Sequence, residues 1–265
     1  MNVEFWHILV LAIVQGVGEF LPISSSGHVV IVGALLAGDN PEALDIAEMN
    51  IVLHIGSLFA IIVFYVHRIL QAFSEDRRVL LLILIATLPG VAAGLLIKAF
   101  ASGIMENPML AGAMLLVTGS ILIWIGRQEK GQRSYQSLTA GQALLIGVSQ
   151  AFAILPGISR SGTTISMGMR LGLAPAQSAT FSFLMAIPII AAGGMYEVAI
   201  MVWTYEPGGT PVSYLVIGGA ISFLVGLVAL AWLLRWLQRG RFQLFAWWCI
   251  PVGLAVLTWQ ALSIV

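Results

Sequence analysis

The chain has 265 residues, of which 59% are hydrophobic and 9% charged; its 12 basic and 12 acidic side chains cancel, and its mean hydropathy is +0.98. Soluble domains carry about 25% charged residues, so a soluble globular protein is excluded and nucleic acid is not an expected partner. The composition is that of an integral, all-α, polytopic membrane protein, whose spanning helices each need about 20 mostly apolar residues.

The first block, residues 5–37, is apolar but interrupted by Leu21-Pro22-Ile23-Ser24-Ser25-Ser26-Gly27-His28. Apolar spans follow at 49–66, 78–100 and 109–126. A second interrupted block, 140–173, carries Leu155-Pro156-Gly157-Ile158-Ser159-Arg160-Ser161-Gly162-Thr163, which repeats the first break apart from an inserted Gly157. Spans at about 176–200, 213–234 and 244–263 complete the chain. The single cysteine, Cys249, lies in the last of them, forms no intramolecular disulfide and is assigned to packing.

Charge decides the topology. Arg68, Arg77 and Arg78, then Arg127, Lys130 and Arg133, then Arg235, Arg239 and Arg241 fall in three short segments between spans. The acidic Asp39, Glu42, Asp45, Glu48, Glu106 and Glu206 fall mostly in the segments between those. Basic loops stay cytoplasmic, and six full spans put all three on one side. A further single crossing in 5–37 or in 140–173 would invert that pattern downstream. Each block is therefore predicted to be a re-entrant hairpin of two short helices, the first entering from outside and the second from the cytoplasm. This is an inverted-topology repeat within a single membrane domain, 1–265, with a first half of about 1–126 and a second of about 136–265. Pro89-Gly90-Val91-Ala92-Ala93-Gly94 and Pro188-Ile189-Ile190-Ala191-Ala192-Gly193 form a fainter echo, read as helix packing. Trp203, Tyr205, Tyr214, Trp232 and Trp236 are expected as interfacial anchors.

Irregular polar backbone at membrane depth is tolerated only where it lines a cavity or is buried in protein. The two breaks therefore mark a site, and the ionisable residues beside them, Glu19 and Arg160, are its functional candidates. Two readings of that pair stand together: a structural ion pair, or two arms of a working site. Gln15 and Glu19 share a helical face, and two oxygen donors there suit a hard divalent cation, Mg²⁺ or Ca²⁺. His28 can donate or accept a proton near neutral pH. Ser24, Ser25 and Ser26 offer hydroxyl nucleophiles. Ser159, Ser161 and Thr164 surround the Arg160 charge with donors. Gly27 and Gly162 allow close backbone approach to a ligand, and a helix N-terminus after each turn offers N–H groups to an anion. Arginine binds phosphoryl oxygens in pairs, so this donor set reads as a phosphate site. His54 either faces the same cavity or is a core histidine.

Gln15-Gly16-Val17-Gly18-Glu19, with the two breaks, resembles the bacterial undecaprenyl-diphosphate phosphatase family of the bacitracin-resistance type, in order and spacing through nearly the whole chain. The resemblance implies an inverted-repeat enzyme of the bacterial plasma membrane with its active site open to the outer face. It would release the terminal phosphate of undecaprenyl diphosphate and so recycle the lipid carrier for the cell wall. It implies a divalent cation and a polyprenyl diphosphate substrate among membrane lipids, and it leaves room for a homodimer. By motif position, Glu19 and Gln15 would hold the metal or its water network. Ser25 would be the nucleophile, with His28 the catalytic acid or base and itself an alternative phosphoryl acceptor. Arg160 would clamp the diphosphate, and Ser159, Ser161 and Thr164 would complete the cradle. Asn50 stands where relatives often carry a carboxylate, so Asn50 and His54 are candidates to support the metal-holding residues from behind, and the cation is expected to bind more weakly here. The rival function is a transporter or flippase that moves the same head group across the bilayer.

Overall fold

The computed structural model describes residues 5–37, 46–100, 102–203 and 211–263. Eleven α-helices account for most of these: α1 Phe5–Gly18, α2 Ser25–Ala37, α3 Ile46–Phe64, α4 Val66–Ser74, α5 Arg77–Phe100, α6 Pro108–Gly126, α7 Ala140–Phe152, α8 Arg160–Arg170, α9 Pro175–Trp203, α10 Val212–Gln238 and α11 Ala246–Ser263. Residues 38–45 and 204–210, which hold Asp39, Glu42, Asp45, Tyr205 and Glu206 of the expected acidic segments and anchors, lie outside the described residues.

Five helices, α5, α6, α9, α10 and α11, are long and apolar enough to cross a membrane. The predicted span 49–66 is also found, as α3, but its basic end departs from the expectation. The chain bends by 67° between α3 and α4, so the first basic segment is largely a separate helix rather than a loop. α4 buries only Ala72 and carries His67 and Arg68 outward. Its exposed side chains are mixed, with the apolar Val66, Leu70 and Phe73 beside the polar His67 and Arg68, and such an amphipathic helix suits the membrane surface better than its interior.

The two interrupted blocks each fold as a pair of short helices. At 1.5 Å per residue, α1 and α2 are about 20 Å long and α8 about 17 Å, against a hydrocarbon core of about 30 Å. None can cross alone. α1 packs on α2, and α7 on α8.

The three basic segments meet at one end of the bundle. Arg78 donates to the carbonyls of Gln136 and Leu138, each at 2.5 Å, and Gly240 abuts Lys130. The charge map of the sequence thus has a direct structural counterpart. Tyr135 starts a single 3-10 turn at this end, where burial raises its phenol above the usual range.

The helices pair in a reciprocal way. α3 lies against α9 and α6 against α11; α1 lies on α10, while α7 lies on α5. The echo around the two prolines is a contact within this scheme, since a Cβ on Gly90 would stand 2.6 Å from Ile189 Cδ1. Small residues at such crossings let helix backbones approach closely. The large core runs through the first break itself and includes Phe20, Leu21 and Ile23. Trp236 and Phe245 pack at 5.0 Å and join the core, while the exposed Trp232 lies 5.3 Å from Trp236. Lys98 extends over the Tyr196 ring at 3.9 Å.

Candidate functional site

The two breaks are built alike and touch each other. Pro22 and Pro156 each prevent the preceding helix from continuing. A serine then caps the next helix: Ser24 Oγ accepts from Gly27 N at 3.2 Å, and Ser159 Oγ accepts from Gly162 N at 3.0 Å. Serine is a favoured residue at this position, because its oxygen takes a first-turn N–H that the helix cannot satisfy itself. Each break also needs a left-handed residue. In the second it is Gly157 (φ 94°), which accounts for the inserted glycine; in the first it is Ser24 (φ 70°), which adopts this conformation without being glycine. A non-glycine residue there costs of order 1–3 kcal/mol and persists where its surroundings hold it.

Those surroundings are the other break. Ser24 Oγ also accepts from Gly157 N at 3.1 Å, and Ser161 Oγ donates to the Leu21 carbonyl at 3.3 Å. A Cβ on Gly27 would stand 2.7 Å from both N and Cα of Gly157, and one on Gly162 would stand 3.2 Å from Pro22 Cβ. In this structure both glycines serve the approach of one break to the other. Thr118, on α6, braces the second break by donating to the Gly157 carbonyl at 2.8 Å and accepting from Ser159 N at 2.9 Å. The N-terminal ends of α2 and α8 therefore converge on one place, with Ser25 and Arg160 as their first residues.

Glu19 is the hub. Arg160 Nη2 donates to Glu19 Oε1 at 2.7 Å. Ser25 Oγ donates to Oε2 at 2.7 Å, Gln15 Nε2 donates to the same oxygen at 3.1 Å, and His54 Nε2 lies 3.7 Å from it. Glu19 is 7% exposed and Arg160 14%, so this is an ion pair shielded from solvent. Arg160 Nη1 reaches the Ser182 carbonyl at 3.4 Å, and its guanidinium lies 5.6 Å from the Phe183 ring centroid. Thr164 Oγ1 donates to the Arg160 carbonyl at 2.7 Å and meets Ser182 Oγ at 2.6 Å, which places it behind the arginine as a brace. Ser26 reaches Ser24 Oγ at 3.4 Å and Ser159 reaches Ser161 Oγ at 3.2 Å. Asn50 is in α3, but its side chain lies outside what the structure describes.

His28 is not joined to this hub. Its Nδ1 lies 2.8 Å from the Ser24 carbonyl, and its Nε2 accepts from the Trp248 indole N–H at 2.9 Å. Thr118, Ser182 and Trp248 were absent from the sequence reading. A threonine, a serine and a tryptophan inside apolar helices carry no local signal of a site, and Trp248 is 220 residues from His28. Cys249 is buried as expected, with Sγ 3.6 Å from the Pro22 carbonyl.

No group of three or more His, Cys, Asp or Glu side chains suited to a metal occurs among the described residues. The donor set is instead one carboxylate, Glu19, and the buried Gln15 Oε1, which has no hydrogen-bond partner. Magnesium is commonly held by one or two carboxylates together with substrate phosphates, and these two residues fit that arrangement rather than an all-protein cage.

Chemically, the arrangement offers a hydroxyl hydrogen-bonded to a carboxylate, the guanidinium of Arg160 and two helix N-termini at one point. The family model described as bacitracin resistance protein BacA matches residues 8–255. The chain belongs to that family. It is 48% identical over 253 residues to an undecaprenyl-diphosphatase of Rhodopirellula baltica, covering 96% of this chain and 97% of the relative. It is 35% identical to the undecaprenyl-diphosphatase of Pelotomaculum thermopropionicum, with 97% of each chain covered. An undecaprenyl-diphosphatase of Corynebacterium glutamicum is 33% identical, with 99% of this chain and 92% of the relative covered. The BacA match spans both breaks and every site residue described above.

Proposed function

We propose that this chain is an undecaprenyl-diphosphate phosphatase that releases the terminal phosphate as inorganic phosphate. The convergence of Ser25, Glu19 and Arg160 at the meeting point of two helix N-termini carries this reading. Ser25 Oγ is hydrogen-bonded to a carboxylate that can take its proton. In the proposed reaction the Ser25 oxygen forms a bond to the terminal phosphorus, and its proton passes to Glu19 Oε2. The bond from phosphorus to the bridging oxygen breaks, and undecaprenyl phosphate departs. Water then attacks the phosphoseryl group, returning the proton to Ser25 Oγ and freeing phosphate.

Negative charge on the phosphoryl oxygens is met by Arg160 and by those first-turn N–H groups of α2 and α8 that Ser24 and Ser159 do not already accept. An arginine has five N–H donors, and Glu19 and the Ser182 carbonyl engage only part of that fork. Glu19 and Gln15 are the residues that would hold a divalent cation together with the diphosphate. When bound, that ion neutralises developing charge.

The lipid tail has a place to lie. A cleft of about 520 Å³ between α3 and α9 is lined by Ile55, Leu58, Ile190, Gly194, Met195 and Val198. Ile55, which lines the cleft, follows His54, which lies near Glu19, so the cleft and the site share one stretch of α3. Each buried CH₂ contributes about 0.8 kcal/mol, so such a surface can hold an isoprenoid without polar contacts.

The reciprocal contacts of α1 with α10 and of α7 with α5 are what an inverted repeat would produce. With basic segments cytoplasmic, we place the enzyme in the plasma membrane with its site toward the outer face. A homodimer would cover part of the apolar outer surface, and the mass of the purified protein in detergent reads it directly. The relatives named above lend the transporter reading no support. The deciding experiment is phosphate release from undecaprenyl diphosphate by purified protein in detergent, with and without chelator. Turnover that stops with chelator and returns with Mg²⁺ or Ca²⁺ is expected. An absence of release with either cation would overturn the assignment.

A further inference from the structure

His28 sits between two partners that each work in only one direction. A backbone carbonyl only accepts, so the 2.8 Å contact with the Ser24 carbonyl requires a proton on Nδ1. An indole N–H only donates, so the 2.9 Å contact from Trp248 requires a bare lone pair on Nε2. The two ring planes are nearly parallel, at 17° with centroids 6.2 Å apart, while the indole N–H reaches Nε2 at 2.9 Å. The Ser24 carbonyl is itself fixed by the left-handed backbone at that residue, and it also accepts the backbone N–H of His28 at 3.2 Å. A flipped or Nε2-protonated imidazole would set donor against donor at Trp248.

The tryptophan is anchored from behind. Its neighbour Cys249 is fully buried with Sγ toward the Pro22 carbonyl, so the start of α11 is tied to the first break. Trp248 is itself 53% exposed, which leaves its ring room to turn outward.

We infer that Trp248 is a positioning residue: it holds His28 as the neutral Nδ1–H tautomer and caps the nitrogen that would receive a proton. His28 takes part in proton transfer only when Trp248 gives way to a proton-bearing group, and the water that hydrolyses the phosphoseryl group is the one the chemistry supplies. The catalytic half of this inference rests on the phosphatase reading above; the tautomer half does not.

The test uses full-length protein in detergent, labelled with ¹⁵N at histidine, with the His28 resonance identified by its loss in His28→Gln. In the wild type the imidazole shows one protonated and one bare nitrogen, the Nδ1–H pattern. Trp248→Phe keeps an aromatic ring and removes the donor, and is expected to give a mixture of the two tautomers. Its kcat should fall about three- to tenfold, because one net hydrogen bond no longer biases the ring and the Nδ1–H tautomer, whose Nε2 can receive a proton, becomes only part of the population, with KM unchanged. Trp248→Tyr, which restores a donor, should recover part of the loss. An unchanged imidazole spectrum in Trp248→Phe overturns the tautomer claim. A changed spectrum with unchanged kcat, or a loss confined to KM, overturns the positioning role. Failure of the wild type to release phosphate would sink the phosphatase reading, and the spectrum would still decide the tautomer.

Discussion

Replacing Glu19 by glutamine should separate what the Glu19–Arg160 pair does for stability from what it does for chemistry. The closest charged atoms are 2.7 Å apart, with side chains 7% and 14% exposed. At an effective dielectric of about 20, charges at that distance attract by about 6 kcal/mol, and desolvation offsets part of this. Removing one partner leaves the other buried and uncompensated, which costs about 3–5 kcal/mol. Glu19→Gln and Arg160→Met should therefore each lower stability by that amount. The double variant removes both charges, and should be more stable than the sum of the single losses predicts by at least about 2 kcal/mol. Denaturant midpoints in detergent measure all four corners of this cycle. Phosphate release should behave differently. Glu19→Gln removes the proton acceptor for Ser25 and should lose about 100- to 10,000-fold in rate, and the double variant should recover none of it. Strictly additive stability losses would refute the buried-pair argument, and near-wild-type turnover by Glu19→Gln would refute the site.

Three further outcomes follow from the same geometry. Ser25→Ala loses one hydrogen bond and should cost only about 1 kcal/mol of stability while abolishing phosphate release; brief quenching with terminally labelled substrate should leave an acid-stable label on the wild type and none on this variant, whereas an acid-labile label would point to His28 as the acceptor. Gly27→Ala places a methyl 2.7 Å from the Gly157 backbone and should push the breaks apart, lowering stability by about 1–3 kcal/mol; a fully stable, active variant would mean that they are not in contact. Gly194→Phe fills the cleft between α3 and α9, and should raise KM for the long-chain substrate several-fold while sparing a short-chain diphosphate; equal effects on both would place the tail elsewhere.

The larger part of the fold was legible because membrane insertion imposes strong local rules. Runs of apolar residues can only be helices in a bilayer, and each predicted span has its helix. Charge placement decided which ends lie together, and Arg78 on the 136–138 turn shows them together. The bend at Tyr65 was missed because His67 and Arg68 read equally well as a loop or as the polar face of α4. At the site, Glu19 and Arg160 stood out because charge in an apolar setting is costly. His54, left open between cavity and core, lies beside Glu19.

By itself the sequence determined which residues must be brought out of contact with lipid: the prolines, the serine caps and the charges beside them. It did so through periodicity, composition and the cost of polar backbone in hydrocarbon, all of which act over a few residues. Only the tertiary structure decided which of those groups meet. It tied Ser24 to Gly157 across 133 residues, gave both oxygens of Glu19 to named donors, and drew His28 away from that hub to Trp248. Hydrogen bonds are directional and span about 3 Å, so partners so far apart in the chain are selected by how α2, α8 and α11 pack. No stretch of sequence carries that information alone.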